Sequence, residues 1–182
     1  MPGVPEARLE DSGAGLAPAE AGWFVVNVRD VEWWTTKTFG SGCVFESEEF
    51  PFPQLGLALN VLQPGEPNSL YHSESQQEDF LVLSGECKVL VEGEERLLGP
   101  WDFVHCSPGT DHVFVGAGDG PCAILMVGAR TEDEQVLFKK SDLAARYGAS
   151  PEETTSDGKQ AYAPFEPEQR GRPSYWDELP WA

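Results

Sequence analysis

Between Leu55 and Val127 turn signals recur at such short intervals that no helix of ordinary length fits between them. L-G-L-A-L-N-V-L at 55–62 alternates loosely and reads as a buried strand. The P-G-E-P-N-S turn follows, then short strands at Leu70 to Glu74 and Glu78 to Leu83. Ser84-Gly85 turns the chain, and Cys87, Val89 and Val91 alternate with their neighbours. Glu92-Gly93 suits a two-residue hairpin returning through Glu94 to Leu98. Gly99-Pro100 and Ser107-Pro108-Gly109-Thr110 then separate strands at Trp101 to Cys106, Asp111 to Val115 and Cys122 to Val127. With an earlier strand at Trp23 to Val28, this makes about nine short strands at close spacing, the pattern of an all-β antiparallel barrel or sandwich.

The flanks differ. Residues 1–22 are rich in Pro, Gly, Ala and Glu and have few large apolar residues, so they are expected to be a disordered leader. Residues 23–130 are the expected barrel. From 131 to 182 a short helix is expected at S-D-L-A-A-R-Y, capped by Ser141 and stopped by Gly148. A polar, Pro-rich extended tail then ends in Y-W-D-E-L-P-W-A. A free tail has little reason to carry Tyr175, Trp176, Leu179 and Trp181. They are expected to pack on the barrel or a second subunit, or to cover a binding site as a lid.

The formal charge of -19 argues against nucleic acid and anionic membrane surfaces as partners, since both reward Lys/Arg patches. No stretch approaches the ~20 apolar residues of a membrane span, and the N-terminus carries no export signal. A cytoplasmic protein is expected, with Cys43, Cys87, Cys106 and Cys122 as reduced core or surface thiols, none in C-x-x-C spacing.

Three histidines are present: His72, His105 and His112. His72 and Glu74 are two apart, so on one strand both side chains share a face. Glu78 opens the neighbouring strand and His112 starts a later one. Two imidazoles and two carboxylates converging inside a barrel would suit a divalent transition metal such as Fe, Mn, Ni or Zn. Tyr71 should point to the opposite face of its strand, and Asp111 should face solvent.

Gly65, His72-x-Glu74, Glu78 and Gly85 stand at a spacing that resembles the first motif of the cupin superfamily, which reads Gly, His-x-His, Glu, Gly. Gly109 and His112 keep the Gly-x-x-His spacing of the second motif, with Ser107 where a proline usually stands. The motifs cover 65–112, and the strand pattern extends the resemblance to about 23–130. The resemblance implies a jelly-roll β-barrel with metal ligands His72, Glu78 and His112. Glu74 takes the place of the second histidine. It is either a fourth ligand or a base beside a metal-bound water. His105 lies outside the motif and is a further candidate for the pocket. Cupins commonly dimerise, so a homodimer is expected, with the Trp-rich 23–34 segment and the tail as candidate contacts.

The fold hosts many chemistries, so it does not fix the reaction. The leading expectation is an Fe(II)-type dioxygenase or related oxidoreductase acting on a small molecule. The alternatives are a metal-dependent isomerase or lyase and a non-catalytic small-molecule binder.

Overall fold

The computed structural model describes residues 3–182. In chain order the strands are β1 (Leu9–Asp11), β2 (Leu16–Pro18), β3 (Trp33–Thr35), β4 (Ser41–Val44), β5 (Leu55–Leu62), β6 (His72–Glu74) and β7 (Glu78–Ser84). They continue with β8 (Glu86–Val91), β9 (Glu94–Leu98), β10 (Phe103–Cys106), β11 (His112–Ala117), β12 (Cys122–Ala129) and β13 (Val136–Phe138). Helices α1 (Asp142–Ala145) and α2 (Gly158–Tyr162), strand β14 (Gln169–Arg170) and a 3-10 turn at Trp176–Glu178 complete the chain.

A seven-stranded sheet runs β10-β7-β12-β5-β4-β3-β14 and a five-stranded sheet runs β13-β6-β11-β8-β9. Every pairing between these strands is antiparallel. The all-β expectation therefore holds. Among the described residues no strand pairing joins the two sheets, so they are two facing layers rather than a hydrogen-bonded closed barrel. The core between them takes Leu62, Phe80, Val82 and Ile124 from the larger sheet and Cys87, Val89 and Phe114 from the smaller. Period two explains the choice: Phe80 and Val82 share one face of β7, while Leu83 packs in a separate cluster on the other.

Both outer faces are covered. Tyr71, just before β6, and Leu90, Val113 and Val115 of the smaller sheet pack against Ala144 of α1, which Ser141 caps by accepting from Ala144 N–H. Tyr71 thus faces away from His72, as expected. On the larger sheet Trp33, Cys43, Leu59, Val61 and Ala123 are covered by Val26, Val28, Tyr175, Trp176, Leu179 and Trp181. The tail therefore packs on its own sheet, and its aromatic residues do not line the pocket described below.

Three expectations change. Trp23 to Val28 is not a strand: only Trp23 forms an isolated bridge, to Glu6. Instead Val26 and Val28 pack on the larger sheet, and Val28 O accepts from Trp33 Nε1 at 2.9 Å. Within the segment expected to be a disordered leader, β1 pairs with β2 and Ala7 is buried. Backbone pairing positions this stretch with little apolar burial, which a reading based on composition does not register. Trp101 is not in a strand either; β10 begins at Phe103, and Trp101 is exposed with φ of 74°.

Candidate metal centre

His72 on β6 and His112 on β11 are direct cross-strand partners in the smaller sheet. Directly opposed residues of an antiparallel pair share a face, so both rings turn inward, with centroids 4.8 Å apart. Glu78 comes from the larger sheet, at the start of β7, between Cys106 of β10 and Gly128 of β12. It shares the inward face with Phe80 and Val82. A Cβ at 128 would meet the Glu78 Cγ only at 4.0 Å, an ordinary van der Waals contact, so the glycine is not what makes room for that carboxylate. Gly85, which ends β7, has φ of 70°, and a Cβ there would fall 2.4 Å from the Pro121 carbonyl oxygen. The motif needs glycine at this position both for the backbone conformation and for the close approach.

One ligand atom from each of His72, Glu78 and His112 lies within 4.8 Å of the other two. The tautomers follow from the second ring nitrogens. His72 Nδ1 is 2.7 Å from Leu70 O and His112 Nδ1 is 3.1 Å from Thr110 O. A carbonyl oxygen only accepts, so each Nδ1 carries the proton and each Nε2 presents a lone pair. His112 Nε2 is 3.4 Å from Glu78 Oε2, and His72 Nε2 is 3.8 Å from Glu74 Oε1.

Burial raises the Glu78 carboxyl to about 8, with Glu74 and then Glu134 adding repulsion. Burial lowers His72 to about 4, with His112 adding to the effect. His112 is also lowered by burial. Glu74 is raised, by burial first and Glu134 second. Two neutral imidazoles beside a desolvated carboxyl group form a donor set that fits a divalent metal ion.

The cluster opens onto a pocket of about 300 Å³. Phe80 and Met126 form its apolar side, and Glu74, Asn68, Arg130 and Glu134 are among its polar groups. Arg130 is engaged by Glu46 through contacts of 2.8 and 2.5 Å.

Of the residues expected in the site, His72, Glu78 and His112 come together, and Glu74 lines the same pocket outside their cluster. His105 stands apart. It is half exposed on β10, its Nδ1 donating to Asp79 Oδ1 at 2.7 Å. Period two explains this, since Cys106 and Val104 of β10 pack in the core and His105 alternates with them. Asp111, expected at solvent, is mostly buried against Lys139, 2.7 Å away. Asn68, Met126, Arg130 and Glu134 were not anticipated. They lie on loops or on a strand whose inward face the sequence did not fix, and only the Gly-rich turns hinted at the loops. All four cysteines are buried and free. Burial pushes Cys43 and Cys106 to about 12, so they are poor nucleophiles.

Comparison with known proteins follows the same lines. Residues 58–128 match the family model of the cupin domain, Cupin_2. No curated protein sequence matches the chain. Among solved structures, a sugar phosphate isomerase of the cupin superfamily from Silicibacter pomeroyi is similar at 24% identity and a TM-score of 0.55, covering 65% of this chain and 83% of that one. The polyketide cyclase RemF from Streptomyces resistomycificus is similar at 18% identity and a TM-score of 0.53, covering 65% and 87%. A candidate sugar phosphate isomerase from Acidithiobacillus ferrooxidans is 25% identical with a TM-score of 0.44, covering 47% of this chain; the chain spans 56% of the length of that relative. The resemblance to the cupin superfamily therefore appears in motifs, family model and fold alike. At these identities the structures speak to the fold alone.

Proposed function

We propose that this cupin-like chain, its two sheets forming a jelly roll, holds one divalent transition metal through His72 Nε2, His112 Nε2 and the Glu78 carboxylate. We infer that it acts on a small molecule in the adjoining pocket as an Fe(II)-type oxidoreductase. The observation that carries this reading is the set of two imidazoles and one carboxylate within 4.8 Å at one side of an open pocket. Such a two-histidine, one-carboxylate set is associated with non-haem iron oxygenases. A bound ion of this class would supply Lewis acidity and redox chemistry to the small molecule.

The chain's own residues do the rest. Leu70 O and Thr110 O orient the two rings by accepting from Nδ1. Phe80 and Met126 exclude water from one side of the pocket. Glu74 lines the pocket, and its carboxyl, raised by burial and by Glu134, would exchange a proton with a bound molecule. Ionised Glu78 and Glu74 would together balance a doubly charged ion, so the pocket would favour a substrate that need not be an anion.

Glu74 also favours the second reading, an isomerase or lyase in which proton transfer is the chemistry. Elemental analysis after reconstitution with Fe, Mn, Ni and Zn in turn tests the shared premise, with competing Mg²⁺ present to suppress surface binding. About one equivalent is expected, and less than about a tenth would end both metal-dependent readings and leave a metal-free binder. Oxygen consumption with Fe(II) against a metabolite panel then separates the two. Turnover without oxygen uptake would replace the oxidoreductase by the isomerase or lyase.

A further inference from the structure

A second cavity, of about 490 Å³, lies beside the metal pocket and is built differently. Its walls join distant parts of the chain: Trp34 of β3, Phe39, and Tyr162 and Phe165 at and beyond the end of α2. Asn68 lines both cavities. Phe39 is buried, with Phe165 at 4.8 Å and 63° and Tyr162 at 5.3 Å and 75° between rings. Trp34 is the cross-strand partner of Gly42, and a Cβ at 42 would fall 2.5 Å from Trp34 Cζ2. The glycine thus gives the indole its place and fixes it on the cavity wall. The volume falls within the range of small-molecule sites. Aromatic walls meeting edge to face reward a flat ring that presents both a face and an edge.

The rim adds a charge preference. Lys159 has no carboxylate partner among the described residues, whereas Glu166 is held by Lys37 at 2.6 Å. One free ammonium beside an aromatic hollow suits a carboxylate carried on the ring. Glu168, also on the rim, opposes an anion and limits how much that charge adds.

We propose that this cavity is a binding site for a planar aromatic carboxylic acid, separate from the metal centre and adjoining it at Asn68. The inference does not rest on the metal reading. A filled cavity would nevertheless be felt at His72, because Tyr162 Oη accepts from Leu70 N–H at 3.1 Å and Leu70 O accepts from His72 Nδ1 at 2.7 Å.

The test is calorimetric titration of the 182-residue chain, kept metal-free with chelator, using 2-naphthoate and decahydro-2-naphthoate. The naphthoate should bind one to one, and the saturated analogue should bind at least about tenfold more weakly. Ala163→Phe fills the cavity from an exposed position at the end of α2 and should abolish naphthoate binding while leaving metal stoichiometry and the melting temperature unchanged. Lys159→Gln should weaken binding by about threefold at low salt and less at high salt. If Ala163→Phe does not fold, Trp34→Leu is the replacement and should weaken naphthoate binding by about tenfold. No saturable naphthoate binding, equal binding of the two acids, or full binding in the cavity variant would each overturn the proposal. A metal-free protein that binds naphthoate and then takes up no metal would uphold this site and defeat the metal centre.

Discussion

Glu78 and His72 are displaced from their ordinary ionisation in opposite directions, and this sets the pH behaviour of the metal-free protein. Between pH 4.5 and about 8 the unfolded chain carries Glu78 as an anion while the folded protein keeps its proton. The unfolded state then binds fewer protons, so the Glu78 contribution to stability falls as pH rises through this window. His72 acts the other way between about 4 and 6.5: the unfolded state binds the extra proton, and stability rises with pH. Denaturant midpoints of metal-free protein should therefore decline from pH 6.5 to 8, and Glu78→Gln should remove that decline. A metal ion would displace the Glu78 proton, so affinity should rise by about tenfold per pH unit up to about 8 and then level off. Titration in buffers of different ionisation enthalpy would show the released proton, and a pH-independent affinity would mean that Glu78 is not a ligand. His112→Ala should reduce bound metal from about one equivalent to below about a tenth. Glu74→Gln should keep the metal and lose turnover, whereas loss of metal would make Glu74 a ligand. This residue was legible in the sequence as an ambiguity: it comes within 3.8 Å of His72 Nε2, yet it is not one of the three residues whose ligand atoms all lie within 4.8 Å of one another.

At the scale of elements, the site is a meeting of two sheets. His72 and His112 are fixed by the β6–β11 register, and Glu78 by the β10–β7–β12 register. A one-residue slip in either sheet would turn its ligands outward. Gly85→Ala, at the turn that ends β7, should therefore cost on the order of 1–3 kcal/mol through its backbone conformation and crowd Pro121 besides. Chemical unfolding measures the loss, and a variant as stable as the parent would show that the turn relaxes freely. Helix α1 gives a smaller effect: Ser141→Ala should cost about 1 kcal/mol, because Ala144 N–H loses its acceptor. The strands were largely legible because period-two alternation and Gly/Pro turns are local signals. The 23–28 segment was misread because β-branched and aromatic residues also serve an extended stretch that packs without pairing, and pairing depends on a partner elsewhere in the chain.

Across the whole molecule, the ends of the chain protect the larger sheet. Trp33 is fully buried with Trp176 at 5.1 Å and Trp181 at 5.6 Å, and Tyr175 Oη donates to Val61 O at 3.2 Å. Deleting 174–182 should lower the melting temperature sharply, since each fully covered apolar side chain contributes about 2 kcal/mol. An unchanged melting temperature would show that the tail is dispensable. With that face covered, a homodimer would need another surface. Leu97, Trp101 and Phe103 are exposed near β9 and β10, the outer strands of the two sheets. Trp101→Ser should shift sedimentation toward monomer if copies meet there; a wild type that sediments as monomer would remove the homodimer expectation. No helix among the described residues is long and apolar enough to cross a membrane. By itself the sequence determined the strand-and-turn character, the motif spacing and the identities of His72, Glu78 and His112, because alternation and turn chemistry act over a few residues. Only the tertiary structure decided that Glu74 stays outside the cluster, that His105 turns away and that the tail covers the larger sheet. It alone also assembled the cavity walled by Trp34, Phe39 and Phe165. Each of these depends on which strands become neighbours, and long-range pairing leaves no mark in any one stretch of chain.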